Sequence, residues 1–251
     1  SSRLAAVQWP DNVTVFGPDA ESHTVEKDGK VVAVVHGISH AKIKEGRNLA
    51  RLFRRDQHHD CFQLGVLHCT VEGQSKADRY APCSLDDLKN TGLDAWALGH
   101  VHERATLCAA PFIAYSGNAQ GLHVNEPGPR GCLRVTANPQ PGGGYACNED
   151  FVRLGPVQWA RVQVELDDVA HLNEVENRMT RALEEAAEGT DPGCEALMAR
   201  VVLRGRTQLD AALRDAPNQE DLAERLAHLQ TGTPSVWIKD MVAETSPAID
   251  R

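Results

Sequence analysis

Asp94-Ala95-Trp96-Ala97-Leu98 is a short apolar run followed at once by Gly99-His100-Val101-His102. An apolar strand that ends in imidazoles limits the chain to architectures in which sheet strands deliver chemistry at their ends. Residues i and i+2 of extended backbone project to the same side, so both rings are expected to face one site. Gly99 leaves room there for a close approach. A second apolar run, Phe62 to Leu67, also ends in a histidine, His68. Ligands gathered at the carboxyl ends of strands are a recurring way of building an α/β site. A third run, Val31-Val32-Ala33-Val34-Val35, is continuous and mostly β-branched, which reads as a strand buried on both faces in a parallel sheet.

Between these strands the spacing changes. From Gly46 to Asp56, Leu49, Leu52 and Phe53 recur at helical intervals, with Arg47, Arg51, Arg54 and Arg55 on the remaining surface, read as a solvated face or a phosphate-contacting patch. Ser84 followed by Asp87 resembles an N-cap with an acidic third residue, and Gly92 is a natural stop, so a two-turn helix is expected over 85–91. Strands are predicted at Phe112 to Tyr115 and Cys132 to Ala137, with the three glycines after Pro141 as a turn. After Pro156 the character shifts. Strands at 159–166, 196–203 and 236–242 alternate with helices at 169–187 and 221–229, the pattern of a small α+β domain with one helical face. The boundary is placed near residue 157, giving domains 1–157 and 158–251.

The net charge is −9, with the acidic excess concentrated after residue 157. This excludes a broadly basic nucleic-acid clamp, whose affinity depends on Lys and Arg neutralising phosphates. The seven cysteines are scattered and include no C-x-x-C pair, which favours free thiols in a reducing compartment. No signal pattern or apolar run of membrane-spanning length occurs, so a cytoplasmic location and no membrane partner are expected. No Gly-x-x-x-x-Gly-Lys-Ser/Thr loop is present, so any ATP dependence must come from a partner.

His68, His100 and His102 are therefore the candidate metal ligands; hydrogen-bonded histidines without metal are the alternative. Three imidazoles can hold one zinc with an open position. A two-metal centre needs bridging anionic oxygens, and no Asp or Glu sits in an obvious ligand motif before His68. His36, His40 and His123 are placed in loops near strand ends, in structural or substrate-lining roles. Asn118 is read as turn chemistry or as part of the site rim. Arg130 is read as an exposed loop arginine or a phosphate contact. Arg200, Arg204 and Arg206 either form a DNA-facing stripe or offset nearby acid.

The segments Leu64-Gly65-Val66-Leu67-His68-Cys69-Thr70, Tyr80-Ala81-Pro82-Cys83, Trp96-Ala97-Leu98-Gly99-His100-Val101-His102-Glu103 and Ser116-Gly117-Asn118-Ala119-Gln120-Gly121 together resemble the calcineurin-like metallophosphoesterases. They are most similar to the SbcD-like DNA repair exonuclease branch. The resemblance implies an α/β fold: part of a metallophosphoesterase αββα sandwich followed by a small α+β capping domain that positions DNA. It implies that His68 and His100 ligate one metal of a pair of divalent ions, expected to be Mn, and His102 the other. It also implies phosphodiester hydrolysis, with DNA and an SbcC-like ATPase subunit as partners and Asn118, His123 and Arg130 as substrate-binding candidates. The family's first three motifs, which carry the acidic ligands and the catalytic histidine, have no counterpart before Val31. Asp56-Gln57-His58 matches one of them by letter only. The chain is therefore expected to represent the C-terminal two-thirds of such an enzyme and to be inactive alone. Uncovered sheet edges make a homodimer an expectation as well. A phosphatase or nucleotide phosphodiesterase of the same superfamily and a non-catalytic scaffold are the alternatives.

Overall fold

The computed structural model describes residues 7–40, 42, 44–73 and 79–248. The chain divides into two compact units. One holds the residues up to Asn118 together with Cys132–Val152, and the other holds Ala119–Gly131 together with the residues from Arg153 onward.

The first unit is built on strands β1 (Glu21–Lys27), β2 (Lys30–Gly37), β3 (Phe62–His68), β4 (Ala95–Gly99), β5 (Ala105–Ala109) and β6 (Phe112–Tyr115), with the short helix α1 (Leu85–Lys89) between β3 and β4. They form one sheet in the order β1-β2-β3-β4-β6-β5. The four inner strands run parallel, while β1 and β5 pair antiparallel at the edges. β1 has no apolar periodicity and is exposed along its whole length. It forms because Asp28 and Gly29 both adopt positive φ, 52° and 72°, and fold it back on β2. An Asp-Gly pair is the usual occupant of such a two-residue hairpin turn. Burial of the 31–35 run on both faces is thus corrected at its start, where Val32 remains 44% exposed.

The helix expected over 46–56 is reduced to a single 3-10 turn, Ala50–Leu52. Leu49, Ala50 and Phe53 are buried by that one turn. The arginines that would have decorated a helix are drawn off by tertiary acceptors. Arg47 pairs with Glu45, Arg51 with Asp87 and Arg55 with Asp94, while Arg54 donates to the carbonyls of Arg51 and Phe53. Arg47, Arg51 and Arg54 nevertheless stay exposed, as a solvated surface requires, and only Arg55 is part-buried. The capping box at α1 forms as the sequence suggests: Ser84 Oγ accepts from Asp87 N at 3.1 Å, and Asp87 Oδ2 accepts from Ser84 N at 2.9 Å.

One face of the sheet carries the main core, with Leu67, Trp96, Ile113 and Tyr115 packed beside Leu49, Phe53 and Leu88. On the other face Phe62, Leu64, Ala95, Phe112 and Ala114 pack with Leu133 and Cys147. The last two come from a hairpin of β7 (Gly131–Pro139) and β8 (Tyr145–Arg153).

The second unit has strands β9 (Val157–Glu165), β10 (Ala196–Thr207) and β11 (Ser235–Pro247), and helices α2 (Leu172–Glu188), α3 (Asp210–Leu213) and α4 (Ala216–Arg225). All three strands run parallel in the order β11-β10-β9. Parallel neighbours require crossovers, and α2 and the α3–α4 pair supply them. Val175, Met179 and Leu183 of α2 line one helical stripe and pack with Val162, Val164, Leu197 and Val201. The helix expected at 221–229 starts earlier, behind Asp215 and Pro217, and gives way to a 3-10 turn, Ala227–Thr231. Among the described residues, no helix is long and apolar enough to cross a membrane.

Parallel register places Arg200 opposite Asp240 and Arg204 opposite Glu244. Arg200 Nη2 reaches Asp240 Oδ2 at 2.8 Å, Arg204 Nε reaches Glu244 Oε2 at 2.9 Å, and Arg161 shares Glu244 at 2.8 Å. Of the two readings, Arg200 and Arg204 follow the one in which they offset nearby acid, with the acid on the neighbouring strand β11 rather than on helices, and not the DNA-facing stripe.

Candidate metal centre

The parallel register that sets Gly65 opposite Trp96 also sets His68 opposite Gly99. Both strands therefore end at the same edge, together with the loop that leaves β2 and carries His40. A Cβ on Gly99 would stand 3.0 Å from Nδ1 of His68. Glycine is thus what lets the His68 ring lie over the end of β4. His100 then turns with φ +95°, a conformation that a side chain with a Cβ adopts rarely and at a cost. The pair His100/His102 is consequently not projected from extended backbone, which corrects the i, i+2 argument. The left-handed turn at His100 brings its ring to 5.2 Å from that of His68, centroid to centroid.

Two further rings complete the cluster. His40 lies 5.5 Å from His68 and 4.5 Å from Tyr80, and Tyr80 stacks on His100 at 5.6 Å with planes 24° apart. Tyr80 is held by Thr70, whose N–H donates to the Tyr80 carbonyl at 2.7 Å and whose Oγ1 accepts from the Tyr80 amide at 3.0 Å. The sequence reading kept His40 in a structural or lining role and gave Tyr80 none. Tyr80 is marked only by lying in one of the segments that carry the family resemblance and His40 by its place near a strand end, and each reaches the cluster through contacts made by a different loop.

The electrostatics favour neutral imidazole. Desolvation, and after it the neighbouring His100, His40 and His102, holds His68 below its ordinary value. Desolvation likewise lowers His40, against a raising hydrogen bond with the backbone of His68. Among the described residues, Nε2 of His40 is buried with no hydrogen-bond partner. A ring anchored by backbone through one nitrogen, with the other left open, is how metal-binding histidines are commonly oriented. Glu45, the nearby carboxylate, is held down to about 2 by hydrogen bonds from Arg47, which occupies both of its oxygens.

His102 lies beyond the end of β4 and acts on His68 electrostatically. Its carbonyl accepts from the Asn118 amide at 3.2 Å, and a Cβ on Gly117 would come within 2.8 Å of the same oxygen. Asn118 is therefore placed on the loop that fixes the backbone of His102. His123 and Arg130 belong to the other unit. His123 Nε2 faces Glu126 Oε1 at 3.5 Å. Arg130 is buried rather than exposed, and its Nη2 donates to the Pro127 carbonyl at 3.2 Å. His36 is inside β2 rather than in its exit loop, where Nδ1 meets Ser22 Oγ at 2.8 Å and Nε2 meets Gln63 Oε1 at 2.9 Å. That network satisfies both ring nitrogens and makes His36 a structural histidine.

Among the described residues, no group of three or more His, Cys, Asp and Glu is arranged to hold a metal ion. The His68/His100 pair, with the open nitrogen of His40 beside it, fits the imidazole half of a divalent transition-metal centre. It does not fit a complete two-metal centre, which needs an anionic bridging oxygen.

Residues 159–246 match the family profile described as metallophosphoesterase YhaO, middle domain. The chain is also similar to an uncharacterized metallophosphoesterase YhaO of Bacillus subtilis (strain 168), 30% identical over 205 residues, which are 79% of this chain and 47% of that protein. The chain thus spans about half the length of the curated relative it matches. Both likenesses support the metallophosphoesterase superfamily, and the mixed α/β architecture agrees with that fold.

Proposed function

We propose that this chain forms the histidine half of a metal-dependent phosphoester hydrolase of the SbcD-like DNA exonuclease type. The observation that carries the reading is the convergence of His68 and His100, from the ends of two register-matched parallel strands, into one desolvated imidazole cluster. When bound there, a divalent ion, expected to be Mn, would polarise a phosphoester and supply a hydroxide nucleophile. His68, His100 and His102 would hold the pair of ions together with acidic ligands from outside the described residues. The chain's own contribution is orientation: Gly99 lets His68 close in, the left-handed turn sets His100, and the Gly117-Asn118 loop fixes the backbone of His102. DNA would be the substrate and an SbcC-like ATPase the partner that supplies nucleotide dependence. Among the described residues no carboxylate joins the cluster to hold a metal, and the chain by itself is expected to cleave little or nothing.

A smaller phosphoester substrate is the second reading, favoured by the neutralised arginines of β10 and by the overall acidity. Calorimetric titration of Mn and of Zn into the chain and into a His100→Ala, His102→Ala double variant tests the site. Micromolar binding that the variant loses is expected. Equal binding by both proteins would remove these histidines from the site. On a complete enzyme containing this half, the ratio of DNA-end hydrolysis to mononucleotide-ester hydrolysis separates the two substrates.

A further inference from the structure

We propose that Cys69 and Cys83 are an oxidisable pair that closes to a disulfide. The two Sγ atoms lie 3.8 Å apart, both residues are buried, and all seven thiols are free in the structure. The backbone holds them at this spacing from both sides. Cys69 N–H donates to the Gly99 carbonyl at 3.3 Å, and the Cys69 carbonyl accepts from Tyr115 Oη at 3.0 Å. Cys83 N–H donates to the Thr70 carbonyl at 3.1 Å, and its own carbonyl accepts from Glu72 N at 3.0 Å. Val71 and Cys83 are partners in a parallel bridge, so Cys69 and Cys83 are offset by two residues on the same side of the paired segments. Closure to a bond of about 2.05 Å therefore draws the two side chains toward each other along the segment direction.

The oxidant is a peroxide. The thiolate of Cys83, 3% exposed against 0% for Cys69, attacks one peroxide oxygen. The O–O bond breaks, the departing hydroxide takes up the proton that the Cys83 thiol released and leaves as water, and sulfenic acid forms. The sulfur of Cys69 then displaces the hydroxyl as a second water and the S–S bond forms. In total two thiols and one hydrogen peroxide become one disulfide and two waters, each sulfur giving up one electron. The new bond would tie the residue that follows His68 to the segment carrying Tyr80, so the redox state would act on the packing of the imidazole cluster.

The full 251-residue chain, reduced and then exposed to hydrogen peroxide, is alkylated in denaturant and mapped by non-reducing peptide mass spectrometry. The expected result is loss of two of the seven alkylatable thiols, with one cross-linked peptide pair containing residues 69 and 83, restored by dithiothreitol. In Cys83→Ser, checked for folding by its thermal transition, no thiol should be lost at the same peroxide dose. Should Cys83→Ser not fold, Cys69→Ala is the second variant: at the same peroxide dose it should lose at most the Cys83 thiol, as sulfenic acid, and yield no cross-linked peptide pair. Retention of all seven thiols, or bonds that involve the other five cysteines equally, overturns the inference. Peptide masses are indifferent to whether the histidines bind metal, so this failure is distinct from failure of the proposed function.

Discussion

Gly65→Ala should destabilise the first unit by about 2–3 kcal/mol. A Cβ at this position in β3 would stand 2.5, 2.6 and 2.8 Å from Cε3, Cζ3 and Cδ2 of Trp96. Carbon pairs rest at about 3.5–4.0 Å, so the indole must withdraw by about 1 Å. It has nowhere to go. The ring is 1% exposed, its Nε1–H donates to the Leu88 carbonyl at 3.2 Å, and Phe53 packs on it at 4.8 Å. Overpacking of this kind costs about 1–3 kcal/mol, and a weakened buried hydrogen bond adds about 1 kcal/mol. Against this, replacing glycine recovers about 0.4–1 kcal/mol of unfolded-chain entropy. With about 2–4 °C per kcal/mol for a unit of this size, the midpoint should fall by about 5–10 °C in a thermal melt followed by circular dichroism. The companion measurement is the same substitution in a Trp96→Leu background, where the indole is gone and alanine fills space that the smaller side chain leaves. There the cost should nearly vanish. An equal cost in both backgrounds would refute the clash as its cause.

Asp87 accepts from Ser84, Arg51 and Asn48, so Asp87→Ala should cost about 1–2 kcal/mol in urea unfolding. Hydrogen bonds from the Ser84 amide, then from Arg51, hold its carboxyl well below the usual range. The group is depressed in the folded state, so its contribution is fully present above the unfolded value near pH 4 and is lost as pH falls through the folded value. The stability difference between wild type and variant should therefore shrink on acidification below about pH 4, and a difference that grew there would contradict the sign. Met179→Ala should cost about 2–5 kcal/mol through a cavity under α2, measured by urea unfolding, while leaving Mn binding by the chain unchanged. Gly117→Ala meets the His102 carbonyl and a φ of +76°, and should weaken Mn binding at least tenfold in a calorimetric titration. Arg204→Ala removes an exposed pair and should change the urea midpoint by less than about 1 kcal/mol of stability.

The local code was sufficient wherever a segment's own neighbours decide its state. The apolar runs ending in His68 and Gly99-His100 are strands, the Ser84/Asp87 box starts a helix, and α2 follows its own apolar stripe, because periodicity and caps act over a few residues. The Asp28-Gly29 turn belongs to the same class and could have revealed β1. Tertiary structure decided the rest. Segment 46–56 carries helical spacing, yet its arginines found better acceptors in Glu45, Asp87 and Asp94, far beyond the reach of any helical turn for the last two. Arg200 and Arg204 of β10 are alternating basic residues in sequence and become neutral pairs only when parallel register sets Asp240 and Glu244 beside them. The candidate centre divides the same way. The sequence named His68, His100 and His102 from strand ends, whereas the entry of His40 and Tyr80 and the left-handed turn at His100 depend on loops that meet only in the folded chain. Composition and periodicity record what a residue needs from its immediate neighbours; which distant residue supplies a charge, a ring or a second thiol is a property of register and packing.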